Sequence, residues 1–139
     1  MSGELAIVCV DDEEMVLIAL RQQIEDAVGN ECIVEVSTSG EEALEIIEEL
    51  VVEENASIVL IISDWLMPCM KGDEFLIKAH KICPKVEKIM LSGQVDEEAI
   101  QRVKDQASLR EFISKPWDAN HLIKVIREAL QLKESSNLG

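Results

Sequence analysis

Five polar residues of this sequence share one property, which is that each stands at the end of a short and mostly apolar run. They are Asp11, Asp12, Asp64, Ser92 and Lys115. If the apolar runs form parallel strands of one open sheet, their carboxyl ends lie side by side and ligands bind in the crevice outside them. We therefore expect the five side chains to converge on one spot.

The residue types at this spot predict a particular chemistry. Three carboxylates that are held close together repel one another, so the site must either raise a carboxyl pKa or hold a cation. Oxygen ligands without a histidine favour Mg²⁺, which also leaves coordination positions open. With a cation neutralising the transferred charge, Asp64 could attack phosphorus in line, while Lys115 and the Ser92 hydroxyl hold the remaining phosphoryl oxygens.

Each of these residues also has a simpler explanation when it is taken alone. Asp12 precedes two glutamates and could serve only as a helix N-cap. Asp64 and Ser92 could lie in ordinary turns. Lys115 is different, because a lysine between an apolar strand and Pro116 points to the ligand end of the sheet, where an unpaired ammonium would be costly. It requires an anionic neighbour.

The segments that would position these residues alternate between strand length and helical period. Strands are predicted at 5–10, 32–36, 58–62, 88–91 and 111–114, and helices at 15–28, 41–52, 73–82, 97–106 and 119–133. Strands that are separated by helices pair in parallel through right-handed crossovers. The sequence thus predicts an α/β protein with a doubly wound, flavodoxin-like, five-stranded parallel sheet, five helices and the strand order 2-1-3-4-5. The uninterrupted apolar third strand suits the centre, and Glu35 suits an edge.

The composition indicates one domain. The chain has 139 residues, of which 47% are hydrophobic, enough for one core. We assign the domain to 1–132 and expect 133–139 to be a tail or the start of a linker, because that segment has little apolar content. A formal charge of −15 argues against direct binding to nucleic acid. No apolar run approaches the roughly 20 residues that span a bilayer, so we expect a cytoplasmic protein without membrane contact.

The cysteines do not form a metal-binding pattern. Cys9, Cys32, Cys69 and Cys83 contain no C-x-x-C pair, and the two histidines lie far from them in the sequence. Cys9 and Cys32 fall inside apolar runs, which favours reduced structural thiols over a disulfide framework. Cys69 is the cysteine that we expect to be most reactive.

Four motifs together carry a family resemblance. They are Val-Asp-Asp at 10–12, Ser-Asp-Trp-Leu-Met-Pro at 63–68 with Gly72, Leu-Ser-Gly at 91–93, and Ser-Lys-Pro-Trp at 114–117. In this order and at these separations they resemble the response regulator receiver family of two-component signalling, over about 5–132. Each motif is modestly specific, whereas the combination is strongly so.

The resemblance implies a role for each residue of the site. Asp64 matches the phosphoacceptor, and Asp12 and Asp64 match the carboxylates that bind Mg²⁺ directly. Asp11 matches a carboxylate that acts largely through water, and Leu66 matches the residue whose backbone carbonyl binds the metal. Lys115 matches the lysine of the motif, and its peptide bond with Pro116 matches one that is typically cis.

The resemblance also implies a conformational switch. Ser92 matches the hydroxyl residue that turns toward the phosphoryl group, and Phe112 matches the aromatic residue that then turns inward from an exposed rotamer. The surface of helix 4, strand 5 and helix 5 would change as a result, and it is where similar receivers dimerise or contact outputs. Phe112 could also be plain core packing. Ser92 in place of the more frequent threonine keeps the hydroxyl but loses a methyl group, and Gly93 would leave the phosphoryl group more open to a donor.

The implied partners are a histidine kinase or phosphotransfer protein as donor, an output domain or effector enzyme, and a second copy in a homodimer. A tryptophan at 117, after Lys-Pro, is less usual in this family than a smaller apolar residue. In this respect the sequence resembles receivers that are coupled to signalling enzymes and not to DNA-binding domains. The chain would be a switch and not an enzyme, with at most self-phosphorylation from small donors and autodephosphorylation.

Leu66 and Gln94 occupy variable positions with opposing effects on hydrolysis, so the lifetime of the phosphoryl group stays open.

Two rival functions use the same kind of sheet. A small Mg²⁺-dependent phosphatase with an aspartate nucleophile would carry that nucleophile after the first strand, but Asp11-Asp12-Glu13 lacks the Asp-x-Asp pattern with a following threonine, and no cap domain is inserted. A flavin-binding or purely structural module would leave the placement of Asp64 and Lys115 unexplained.

Overall fold

The computed structural model of the protein describes residues 4–94 and 96–138, with side chains described through residue 132. Its centre is one sheet of five parallel strands in the order β2-β1-β3-β4-β5. The strands are β1 Leu5–Val10, β2 Cys32–Ser37, β3 Ser57–Ser63, β4 Glu87–Ser92 and β5 Glu111–Ser114. The predicted fold class and strand order are confirmed.

Five α-helices connect the strands. They are α1 Glu14–Val28, α2 Gly40–Glu48, α3 Gly72–Ile82, α4 Glu97–Ala107 and α5 Ala119–Leu138. The segment predicted as one helix at 41–52 instead ends in a π-helical turn over Glu49–Glu53, where the Glu54 amide donates to the Glu49 carbonyl at 2.9 Å. None of the described helices is long and apolar enough to cross a membrane.

In the segment 133–139, which was predicted as a tail or linker, the backbone of residues 133–138 continues α5. The helix extends past its predicted end at Lys133 to Leu138, whereas Gly139 lies outside the described residues. A polar helix that has already been nucleated can be extended residue by residue, because propagation costs less than nucleation. The assignment of this segment as tail or linker stays a prediction.

Both faces of the sheet are buried, as expected for parallel strands. Helices α1 and α5 cover one face, with a core that includes Ile24, Ile62 and Ile126. Helices α2, α3 and α4 cover the other, with a core that includes Ile61 and Phe75. Apolar residues recur at helical spacing on the fifth helix and belong to this core: Leu122, Ile126, Ala129 and Leu130 are buried, and Ile123 is partly buried against them.

None of the four cysteines, all of which lie in the described residues, forms a disulfide. Cys9 is fully buried in β1, and this burial raises the pKa of its thiol to about 12. A thiol with so high a pKa is inert, because the thiolate is the reactive form. Cys69 is the exposed cysteine of the four.

A lysine that the sequence analysis treated as part of a strand proves to be completely buried. Lys88 lies in β4 with no exposed surface, and its ammonium donates to the Val86 carbonyl at 2.7 Å. Burial lowers the pKa of Lys88, while the nearby Cys83 and Glu87 oppose that shift. The charged form is thus less favourable in the folded protein than in the unfolded chain.

We predict that Lys88→Met stabilises the protein by about 1 kcal/mol at pH 7, because a buried charge is replaced by an apolar chain of similar length. The gain is small because the Val86 carbonyl loses its donor. Since the pKa is lower in the folded state, the penalty of Lys88 is complete below that folded pKa and disappears as the pH rises through the unfolded value of 10.5. The advantage of the variant should therefore shrink as the pH approaches 10.5.

Urea denaturation at several pH values measures this difference. Lys78→Met is the matched control, since Lys78 is an exposed lysine that pairs with Glu74 on the surface of α3. It should change the free energy of unfolding little at any pH. A Lys88→Met protein that is less stable than wild type at pH 7, with the same pH profile, would contradict the prediction.

Candidate functional site

The acidic residues of the site are brought together by strand register. Val10 pairs with Ser63 across β1 and β3, so the residues that follow them, Asp11 and Asp64, stand side by side. The carboxylate oxygens of Asp11, Asp12 and Asp64 lie within 4.8 Å of one another. Asp11 and Asp64 are buried, whereas Asp12 is exposed.

Backbone hydrogen bonds hold the two buried aspartates in this position. The Asp11 amide donates to the Ser37 carbonyl at 3.1 Å, and the Asp64 amide donates to the Val10 carbonyl at 2.9 Å. The ladders of β1 with β2 and of β1 with β3 thus continue one residue past the strands. The sheet itself fixes the positions of both carboxylates.

Lys115 brings a positive charge into the acidic cluster. Its ammonium lies 2.7 Å from Asp11 Oδ2, 3.3 Å from Asp64 Oδ2 and 3.6 Å from Glu13 Oε1. The Lys115 amide donates to the Ser92 carbonyl at 3.0 Å, and the Lys115–Pro116 peptide bond is cis. The anionic neighbour that the sequence analysis required for this lysine is therefore present.

The electrostatics of the cluster follow from burial and pairing. Burial is the main cause that raises the pKa of Asp11, and the hydrogen bond from Lys115 opposes it. Burial disfavours the charged form of Lys115, yet its hydrogen bond and attraction to Asp11, together with Asp64, raise its pKa above the usual value. Three carboxylates and one ammonium leave the cavity with a net negative charge. The atoms of Asp11, Asp12 and Asp64 that could bind a metal are all oxygen atoms, which Mg²⁺ prefers as ligands.

The orientation of Asp64 depends on its own loop. Asp64 Oδ1 accepts from the Trp65 amide at 2.7 Å, and the Asp64 carbonyl accepts from the Ser63 hydroxyl at 2.7 Å. Oδ2 is left facing Lys115. Leu66 lies in the same loop before α3 and is 46% exposed.

Ser92 and Phe112 lie on the other side of the site, on β4 and β5. The Ser92 side chain is buried, and its Oγ accepts from the Gln94 amide at 3.2 Å. Phe112 pairs with Met90 in the sheet and is half-buried against the core beneath α3 and α4. The roles that the resemblance gives to these two residues stay predictions.

Two close contacts of the site were missed by sequence reasoning. Glu13, which was treated only as part of a helix start, donates its amide to Asp11 Oδ1 at 2.8 Å and lies near Lys115. Gly72 approaches the loop that begins at Asp64 so closely that a Cβ atom built on it would lie 2.0 Å from the Asp64 carbonyl oxygen. The Gly72 amide also donates to the Trp65 carbonyl at 2.8 Å. The one sequence signal for the close contact of Gly72 with Asp64 was that Gly72 belongs with the motif at 63–68.

The chain is similar to one protein family over most of its length. The family model described as "Response regulator receiver domain" matches residues 7–127. Among curated proteins, the hydrogenase transcriptional regulatory protein HoxA of Cupriavidus necator is 30% identical over 128 residues, which cover 92% of this chain and 24% of HoxA. The sensor kinase CckA of Brucella abortus is 27% identical over 134 residues, which cover 96% of this chain and 13% of CckA. The chain therefore spans about a quarter or less of these relatives.

Solved structures share the fold. A CheY-like response regulator receiver domain protein from Methanospirillum hungatei JF-1 has a TM-score of 0.82 and 30% identity, covering 96% of this chain and 98% of that one. The signal receiver domain of an HD domain-containing protein from Pseudomonas fluorescens Pf-5 has a TM-score of 0.81 and 26% identity, covering 95% and 98% respectively.

We predict that Gly72→Ala destabilises the protein by about 2–3 kcal/mol, because the new methyl group would clash with backbone that cannot rotate away. Urea denaturation measures the loss. Gly93→Ala is the matched control, because a Cβ atom at Gly93 meets no atom within 4 Å. Equal stability of the two variants would show that the loop at Asp64 yields easily, contrary to this prediction.

Proposed function

Since this chain belongs to the response regulator receiver domain family, we propose that Asp64 is the residue of this two-component receiver that accepts the phosphoryl group. The observation that supports this most directly is the position of the Lys115 ammonium, 2.7 Å from Asp11 and 3.3 Å from Asp64. A cation that bridges two buried carboxylates at the ligand end of the sheet is suited to hold phosphoryl oxygens.

Receiver domains bind Mg²⁺ at an acidic cluster, and the Asp11, Asp12 and Asp64 group is a cluster of this kind. We propose that Asp12 and Asp64 bind the ion directly, together with the Leu66 carbonyl, and that Asp11 acts largely through water. When bound, the ion neutralises the charge of three carboxylates and of the incoming phosphoryl group. The exposure of Asp12 supports entry of the ion from that side.

In the proposed transfer, an Asp64 carboxylate oxygen attacks phosphorus in line, and the bond from phosphorus to the donor breaks as the acyl phosphate forms. The leaving group departs with the bonding electrons. Lys115 neutralises charge on the phosphoryl oxygens. The Ser92 hydroxyl turns from the Gln94 amide to donate to one of them.

Receivers are phosphoacceptor switches and not classical enzymes. For this chain we propose that self-phosphorylation from small donors and autodephosphorylation are its only chemical activities. The phosphatase alternative would use Asp11 as its nucleophile, but Asp11-Asp12-Glu13 lacks the Asp-x-Asp pattern with a following threonine that this alternative requires.

The proposed readout lies on β5 and the helices around it. Movement of Ser92 toward Asp64 would leave space for the half-buried Phe112 to turn fully inward, which alters the surface of α4, β5 and α5. The partners that we propose are a histidine kinase or phosphotransfer protein as donor, an output domain or effector enzyme, and a second copy of the chain in a homodimer through this surface. The longer relatives, a transcriptional regulatory protein and a sensor kinase, support a donor and an output without naming either.

We predict that Asp64→Asn abolishes phosphoryl incorporation from radiolabelled acetyl phosphate in the presence of Mg²⁺, because the amide cannot attack phosphorus. Asp26→Asn, an exposed change on α1, is the control and should incorporate normally. Chelation of the metal should stop incorporation in wild type. If Asp64→Asn were still labelled while Asp11→Asn was not, the nucleophile would be Asp11 and the phosphatase arrangement would be preferred.

We also predict that Mg²⁺ with beryllium fluoride, which mimics a phosphoryl group, changes the fluorescence of Trp65, since its amide already contacts the Asp64 carboxylate. Titration of beryllium fluoride at saturating Mg²⁺ measures the effect. The change should persist in Trp117→Phe and be lost in Trp65→Phe. A response that follows Trp117 and not Trp65 would place the binding event elsewhere.

A further inference from the structure

Helix α4 is attached to the rest of the domain by an unusual combination of contacts. Its buried side chains are small, namely Ala99, Val103 and Ala107, with Ile100 partly buried. The neighbouring helix α3 buries Phe75 and Leu76. Because the stabilisation from burial grows with the apolar area removed from water, α4 gains less from packing than α3 does. Its polar contacts therefore matter more.

One ion pair joins α4 to α3. Arg102, in the middle of α4, donates through Nη1 to Asp73 Oδ2. Among the described side chains, no other residue of α4 forms an ion pair with another helix or strand. The Asp73 side chain is only 12% exposed and that of Arg102 is 44% exposed. Such a half-buried pair is screened less by solvent than a fully exposed one.

The acidic partner of this pair is fixed to the loop that carries Asp64. Asp73 follows Gly72 in the first turn of α3, and its Oδ1 accepts from the Glu74 amide at 2.9 Å. Gly72 in turn packs on the Asp64 carbonyl and donates to the Trp65 carbonyl. A continuous path of short contacts thus runs from the Asp64 loop through the start of α3 to the middle of α4.

Helix α4 is joined to the site by a second path, along its own chain. The loop that leads into it starts at Ser92, whose Oγ accepts from the Gln94 amide. Asp96 then caps the helix by accepting from the Ala99 amide at 2.9 Å. If Ser92 turns toward a phosphoryl group, the contact with Gln94 is lost and this end of α4 is released. The ion pair with Asp73 then resists movement of the helix.

We propose that the Arg102–Asp73 ion pair is a latch that fastens α4 to the phosphoacceptor loop in the unphosphorylated protein and restrains the change to the phosphorylated arrangement. The latch takes no part in phosphoryl transfer, and both residues are positioning residues. Its effect on switching rests on the proposed function, whereas its effect on α4 in the free protein does not.

The first test uses hydrogen exchange of the α4 amides in the free protein. Arg102→Gln should exchange about threefold faster over 97–107 than wild type, because an opening of the helix no longer breaks the ion pair. Arg127→Gln is the matched control, since Arg127 is similarly exposed but pairs with Glu31, away from α4. If α4 exchanged no faster in Arg102→Gln than in this control, the latch would not exist.

The second test measures the concentration of beryllium fluoride that half-saturates the fluorescence change at saturating Mg²⁺. If the latch holds the unphosphorylated state, Arg102→Gln should lower this concentration about threefold, because the competent state is then more populated. Asp73→Asn should act in the same direction, since its side-chain oxygen can still accept from the Glu74 amide. Combining both substitutions should have the effect of one alone, and Arg102→Lys should return the value toward wild type.

These outcomes separate a latch from a merely structural contact. Loss of general stability would weaken the response to beryllium fluoride, so an unchanged or raised half-saturating concentration in Arg102→Gln overturns the proposal. Additive effects of the two substitutions would also overturn it. A wild-type protein that fails to respond to beryllium fluoride would count against the proposed function, and the exchange of α4 would then decide the latch alone.

Discussion

The central constraint of this protein is the mutual repulsion of three carboxylates at one end of a parallel sheet. Asp11 and Asp64 are buried there, with the exposed Asp12 beside them. One ammonium, that of Lys115, cannot balance three negative charges, so the site retains an attraction for a divalent cation. The fold must hold these groups together against their repulsion. It does so with backbone hydrogen bonds that extend the ladders of the central strands.

Those backbone bonds explain why the order of the strands matters to the chemistry. With β1 and β3 adjacent, the residues after Val10 and Ser63 are neighbours by register. β5 stands two strands from β3, and only a long side chain at its end can reach back to the acidic cluster. Lysine is long enough, and the cost of burying its ammonium is met by the carboxylates that it contacts. The same geometry places Ser92, at the end of β4, between Lys115 and the loop that begins at Asp64.

Sequence reasoning succeeded for whatever depends on strand ends and failed for whatever depends on the packing of particular side chains. The strand order and the approximate positions of the strands followed from apolar runs that alternate with helical segments, and the position of Lys115 beside two aspartates followed from the ligand end of a parallel sheet. The burial of Lys88 was missed because a strand pattern does not reveal which lysine of a strand is completely buried. The Arg102–Asp73 pair joins two helices whose relative rotation no local pattern specifies. The π-helical end of α2 was missed because helical period alone does not distinguish it.

The contacts divide the site into a fixed side and a movable side. Asp11 and Asp64 are bound through their backbones to β2 and β1, and Gly72 packs directly on the Asp64 carbonyl, so a displacement there would break several contacts at once. The Ser92 hydroxyl accepts a hydrogen bond from the Gln94 amide at 3.2 Å. Helix α4, which follows this loop, buries mostly small side chains. New charge at Asp64 would therefore move the side that resists least. For this reason the change should travel toward α4 and Phe112, and not into the central strands.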